Sequence, residues 1–219
     1  MDREFWLERW ATNQIGFHQP NYNLELLQYW PTLGVPEHAS VFVPLCGKSL
    51  DMRWLEAAGH TVYGVDYSTE AISAYFADAH ETPERDQGNY LQRFKGPRST
   101  LYAGNFFDIS AIDLPRVRGV FDRGSLVALP CVMRANYADH LQRVIPDGAN
   151  MLLLTLEYDQ AIVPGPPFSV RRTEVEELFQ GRCQIELLET MTVQDLPPKF
   201  AAAGLPEITQ AVYHIRKVH

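Results

Sequence analysis

Gly47 and Asp66 are the residues whose spacing first suggests chemistry. Gly47 lies in a turn, Pro44 to Ser49, that follows the apolar run Val41-Phe42-Val43, and Asp66 closes the next apolar run, Thr61 to Val65. A glycine turn at a helix N-terminus exposes backbone N–H groups, and an acid about 20 residues on accepts hydrogen bonds from a ribose hydroxyl. The turn reads LCGKS, with a single glycine where G-x-G-x-x-G has more. A backbone cradle for pyrophosphate is therefore missing. The other reading leaves Asp66 as a solvated residue at a helix start and Gly47 as a plain turn.

A cofactor with a ribose but no phosphate suits such a loop, and S-adenosylmethionine is one: both ribose hydroxyls are present and an amino acid replaces the phosphates. Gly104-Asn105-Phe106 follows the third apolar run. There the Asn105 amide could accept from an adenine N6 amine, while Phe106 offers a backbone N–H and an apolar face. A turn with a core phenylalanine is the equal alternative. The order helix, IPDG turn, strong strand (Pro130 to Leu156) resembles the run into the fifth strand of many class I methyltransferases, and it favours methyl transfer over hydride transfer.

The elements that must position these residues alternate. Strands are expected at Val41–Val43, Thr61–Val65, Leu101–Ala103, Val120–Phe121, Met151–Leu156, Ile185–Leu188 and Val212–Ile215. Helices are expected at Asp2–Trp10, Asn23–Tyr29 (stopped by Pro31), Leu50–Ala58 with Gly59 at C′, Thr69–Ala79 and Pro130–Val144. The Pro130–Val144 helix would turn Val132, Tyr137, Leu141 and Val144 to one side. Glu174–Phe179 is expected to open on a Thr173/Glu176 capping box. This alternation predicts an α/β fold with a parallel sheet. His80 to Arg98 reads as a long surface excursion, partly mobile.

At 219 residues the chain suits one domain with a sizeable core. Its formal net charge of −8 argues against nucleic acid as a partner. Cys46, Cys131 and Cys183 have no metal-ligand spacing, so free thiols and no metal are expected. No apolar run is long enough to span a membrane, and the start lacks a signal-peptide pattern, so a cytoplasmic, monomeric protein is expected.

FVPLCGKSLDMRWL, YGVD, FDRGSLVAL and PGPPF, in this order, closely resemble the thiopurine S-methyltransferase family, and FHQ at Phe17–Gln19 and the Trp-rich N-terminus match as well. The similarity runs from about Glu4 to Tyr213. It implies a class I S-adenosylmethionine methyltransferase fold, Rossmann-like, with a seven-stranded, mostly parallel sheet, helices on both faces and an antiparallel last strand. Residues 1–36 would form a helical extension over the cofactor, and residues 37–219 the core. Carried over by position, the cofactor contacts would be Trp10, Leu45, Asp66, Phe106 and Arg123. Family members often have glutamate at the Asp66 position. Bacterial members are linked to aromatic thiols and to selenium and tellurium compounds, which are therefore the acceptor classes implied.

Methyl transfer from a sulfonium to a thiolate needs no covalent protein intermediate, and no convincing Ser/His/Asp set is found. Trp10, Phe17 and Phe168 are candidates to wall a dry site, with core packing as the alternative. Arg123 is the candidate to stabilise an anionic acceptor; otherwise it is a surface arginine paired with a nearby acid. His18 could take a proton from a neutral thiol, or its place in the loop is incidental. Competing functions are methylation of selenite, tellurite or halide on the same scaffold, and, as a different class, a nicotinamide-dependent dehydrogenase, which the single-glycine loop disfavours.

Overall fold

The computed structural model describes residues 3–88 and 90–218. Its strands are β1 (Ser40–Pro44), β2 (Thr61–Asp66), β3 (Glu84–Gln87), β4 (Gln92–Lys95), β5 (Ser99–Ala103), β6 (Val117–Asp122), β7 (Asn150–Glu157), β8 (Cys183–Val193) and β9 (Ile208–Lys217). They form a nine-stranded sheet in the order β3-β4-β5-β2-β1-β6-β7-β9-β8. From β5 to β7 the pairing is parallel. β9 runs antiparallel to both of its neighbours. The run from β5 to β8 is thus the expected seven-stranded class I methyltransferase sheet, with its last strand reversed.

The central strands are mainly apolar because both faces of the sheet are covered there. Alternate residues go to opposite faces, as the pleat requires. Phe42, Met151 and Leu153 pack with Tyr137, Leu141 and Phe179 on one face. Val41, Val43, Leu152 and Leu154 pack with Leu26, Met52, Leu55 and Ile72 on the other. The first face is covered by α5 (Cys131–Val144) and α6 (Arg172–Phe179), the second by α2 (Leu24–Tyr29), α3 (Leu50–Ala57) and α4 (Thr69–Asp78).

Several expectations are corrected. The segment after α4 forms the β3–β4 hairpin, which extends the sheet beyond β5. Leu91 and Phe94 anchor it, while β3 exposes all its residues, and its charges blunt the free edge. The second helix ends at Tyr29 as expected, and Pro31 lies in the 3-10 turn that follows it, Trp30–Thr32, near a start where a missing N–H costs nothing. Thr173 does not cap α6: Arg171 is its N-cap and makes no side-chain cap bond. Val132 points to solvent, and the buried stripe of α5 runs through Arg134, Tyr137, Ala138, Leu141 and Val144. Of the expected first helix, α1 (Arg3–Ala11) is formed, and Asp2 lies outside the described residues.

Between β1 and β6 the strand order changes direction. In open α/β sheets ligands bind at the carboxyl ends of the strands at such a switch point. The carboxyl ends of β1, β2, β5 and β6 deliver the Leu45–Ser49 turn, Asp66, Gly104–Phe106 and Arg123 to this one rim.

Candidate active site

The turn after β1 is built from backbone. Leu45 and Gly47 have φ of +42° and +50°, Cys46 N–H donates to the Val65 carbonyl, and Ser49 caps α3 through the Asp51 N–H. A left-handed non-glycine residue costs roughly 1–2 kcal/mol, and such strain clusters at ligand sites. Asp66, at the end of β2, faces this turn. Its Oδ2 accepts the Gly47 N–H at 2.9 Å and its Oδ1 accepts the Ser68 N–H at 2.9 Å. Burial pushes the carboxyl up to about 6, against the opposing pull of N–H groups from Ser68, Gly47 and Tyr67. Asp66 is therefore no solvated residue at a helix start. A carboxylate has about four acceptor positions, so beside the N–H groups of Ser68, Gly47 and Tyr67 it keeps at least one for a ribose hydroxyl.

Asn105 and Phe106 are differently used than expected. The Asn105 Oδ1 already accepts from the Tyr67 hydroxyl at 2.9 Å and the Phe107 N–H at 3.2 Å. Both of its acceptor positions are occupied, which leaves none for an adenine amine. The Phe106 ring is 2% exposed and packed among Phe42, Tyr137 and His140, so its apolar face belongs to the core. What remains of that expectation is the backbone at the start of the 3-10 turn Phe106–Asp108.

Arg123 follows β6 in a loop held from below. Buried Asp122 accepts the Ser125 and Leu126 N–H groups and the Tyr137 hydroxyl, and the Ser125 hydroxyl donates to the Pro44 carbonyl at 2.7 Å. This network, absent from the sequence-based expectation, locks the Arg123 loop to the end of β1. Its signal was Asp122 with Ser125 three residues on, a turn in which a carboxylate bonds its own backbone. Arg123 is half-buried and lies 3.5 Å from the carboxylate of Asp51, so the expected alternative of an acid partner holds, although the pair is not at the open surface.

The Trp10 indole lies against Gly47: a Cβ there would sit 2.8 Å from the ring. Phe17 meets Trp10 and Trp6 edge-on, at 5.4 and 5.5 Å. His18 lies in the same segment, and its pKa is lowered by burial first, then by the charges of Lys48 and Arg123, with Asp78 and Asp51 opposing. His18 thus lies within electrostatic reach of Lys48 and of the Arg123–Asp51 pair. Phe168 lies elsewhere, where its N–H donates to the Val127 carbonyl, a few residues after Arg123, at 2.6 Å. Among the described residues its ring makes no ring contact with Trp10 or Phe17. Lys48 and Asp51 were missed because GKS and SLD look like ordinary helix-opening residues.

Among the described residues no three His, Cys, Asp or Glu side chains gather to hold a metal ion, and no helix is long and apolar enough to cross a membrane.

The family model described as thiopurine S-methyltransferase matches residues 1–218. A thiopurine S-methyltransferase of Pseudomonas fluorescens is 40% identical over 218 residues, covering 100% of both chains. One from Pseudomonas putida is 41% identical over 217 residues, covering 99% of this chain and 100% of its own. In fold, the chain is similar to a Burkholderia thailandensis 1,6-didemethyltoxoflavin-N1-methyltransferase solved with S-adenosylhomocysteine, at 17% identity and a TM-score of 0.67, covering 99% of this chain and 87% of that one.

Proposed function

The chain belongs to the thiopurine S-methyltransferase family and is an S-adenosylmethionine-dependent methyltransferase, and on that premise we propose that its acceptors are aromatic and heterocyclic thiols, methylated by direct in-line transfer to the thiolate. S-adenosylmethionine, when bound, supplies an electrophilic methyl group on a sulfonium. Asp66 would hold its ribose hydroxyls, and the Leu45–Ser49 turn would lie along its amino-acid end. Trp10, resting on Gly47, would close residues 1–36 over it and exclude water.

The observation that carries the acceptor reading is the half-buried Arg123, held 3.5 Å from Asp51 beside that turn, with His18 within reach of its charge. The guanidinium stabilises a thiolate and orients its ring. His18, kept neutral by burial and by the neighbouring cations, takes the proton of a thiol that is not ionised at neutral pH. The carbon–sulfur bond to the sulfonium breaks as the new thioether bond forms, and cation and anion are consumed together, so a dry aromatic wall favours the step.

Labelled S-adenosylmethionine assayed against thiophenol, a thiopurine, selenite, tellurite and halide tests the reading. Thiols should be methylated fastest. Turnover of an oxyanion or halide with no thiol activity would overturn it.

A further inference from the structure

Asp51 lies in the FVPLCGKSLDMRWL stretch with no role assigned to it from the sequence, yet its side chain is only 2% exposed. A carboxylate that deeply covered needs partners, and Asp51 has three from separate parts of the rim. Its Oδ1 accepts the backbone N–H of Asn23 at 2.8 Å, just after the aromatic N-terminal segment. Its Oδ2 accepts the Ser49 hydroxyl, from the turn that also carries Gly47, at 3.0 Å. The same Oδ2 lies 3.5 Å from a guanidinium nitrogen of Arg123.

We propose that Asp51 is the positioning residue for Arg123, aiming its guanidinium at the methyl acceptor while itself anchored to the turn and to the return of the N-terminal segment. This rests on the reading of Arg123 as the acceptor-facing cation. Among the described residues Asp51 is the sole carboxylate within ion-pair distance of Arg123. At 3.5 Å, without a bidentate bond, the pair fixes the direction of the guanidinium and leaves N–H groups over for an anion. The Asn23 bond holds one carboxylate oxygen and the Ser49 bond the other, so the carboxylate is held from two sides against following the arginine outward.

The test is a double-mutant cycle read by thiophenol kinetics and by calorimetric binding of S-adenosylmethionine to the full chain. Asp51→Asn keeps an oxygen for Asn23 but removes the charge facing Arg123. It should lower kcat/KM for thiophenol about tenfold, while cofactor affinity stays within about threefold. Arg123→Ala should lower kcat/KM at least as much, and the double variant should be no worse than Arg123→Ala alone, since a positioning residue has nothing left to position. Multiplying losses in the double variant would show that Asp51 acts on stability or on the turn, and would overturn the proposal while leaving the Arg123 reading intact. If Arg123→Ala alone has no effect, the Arg123 reading fails and the Asp51 proposal falls with it. Should Asp51→Asn fail to fold, Asp51→Glu, which keeps the charge but displaces it by one methylene, goes through the same cycle with the same two outcomes.

Discussion

At the end of β2, Asp66 is gripped by backbone N–H groups of Gly47 and Ser68, between strands that the sheet holds in register. Across the switch point the materials change. There Arg123, after β6, meets its carboxylate at 3.5 Å, and Phe17, in the loop after a helix with no buried residue, packs edge-on against Trp6 and against Trp10. On the reading proposed above, the ribose side is held by backbone, and the acceptor side by side chains, which a single substitution moves more readily.

The sharpest break in this comparison is Asp66→Ala. A ribose hydrogen bond to this charged group, at about 1.5–3 kcal/mol, makes a loss of about 10- to 100-fold in S-adenosylmethionine affinity the expected outcome. The KM for thiophenol should move much less, and calorimetry that finds both equally weakened would erase the distinction between the two sides. Trp10→Ala comes next. It should weaken cofactor binding about tenfold by uncovering the Gly47 turn, yet shift the melting temperature by only a few degrees, because α1 buries no residue. Scanning calorimetry with a large drop in melting temperature would show that the helix is core rather than cover.

The pH dependence of cofactor binding follows from Asp66, whose carboxyl is pushed up to about 6. Ribose hydroxyls donate to the ionised form, so affinity should fall as pH drops below 6, by up to about tenfold at pH 5. Asp66→Asn should flatten the profile. The free protein has the opposite trend. The folded carboxyl keeps its proton to higher pH than the unfolded one, so this group's contribution to stability declines as pH rises from its ordinary range through about 6. Calorimetry across pH 5 to 8 separates the two signs. The smallest effect is expected from His18→Gln: about threefold in kcat for thiols that are un-ionised at neutral pH and none for thiophenol. A uniform loss across that acid series would remove His18 from proton transfer.

Much of the scaffold was legible along the chain. Continuous apolar runs marked β1, β2, β5, β6 and β7, and Gly59, with φ of +96°, ended α3 as a C′ glycine should. The hairpin β3–β4 was not legible, because exposed residues such as Glu84 to Gln87 carry the polar pattern of a loop, and their pairing depends on the edge that β5 offers. Arg134 escaped for a similar reason. It is 2% exposed on α5, a place where periodicity expects an apolar residue, and it is tolerated there because the Leu129 carbonyl and Glu174 satisfy it at 2.9 and 2.6 Å. Asn105 stood where an adenine contact would be wanted, but only the fold revealed that Tyr67 and Phe107 had already claimed its oxygen.

The sequence by itself determined the sheet, the single-glycine turn and the acid opposite it, since each depends on neighbours a few positions away: the period of the pleat, the φ that glycine allows, the residue that ends a strand. Tertiary structure decided which side chains spend their hydrogen bonds on the protein and which keep them for a ligand. Asn105 and Phe106 went to the first group, Asp66 bonds Gly47 and Ser68 with the capacity left over that the proposed ribose contact needs, and Asp51 and Arg123, far apart along the chain, became a pair. Such assignments depend on which distant atoms occupy the remaining lone pairs, and no local pattern of residues encodes that occupancy.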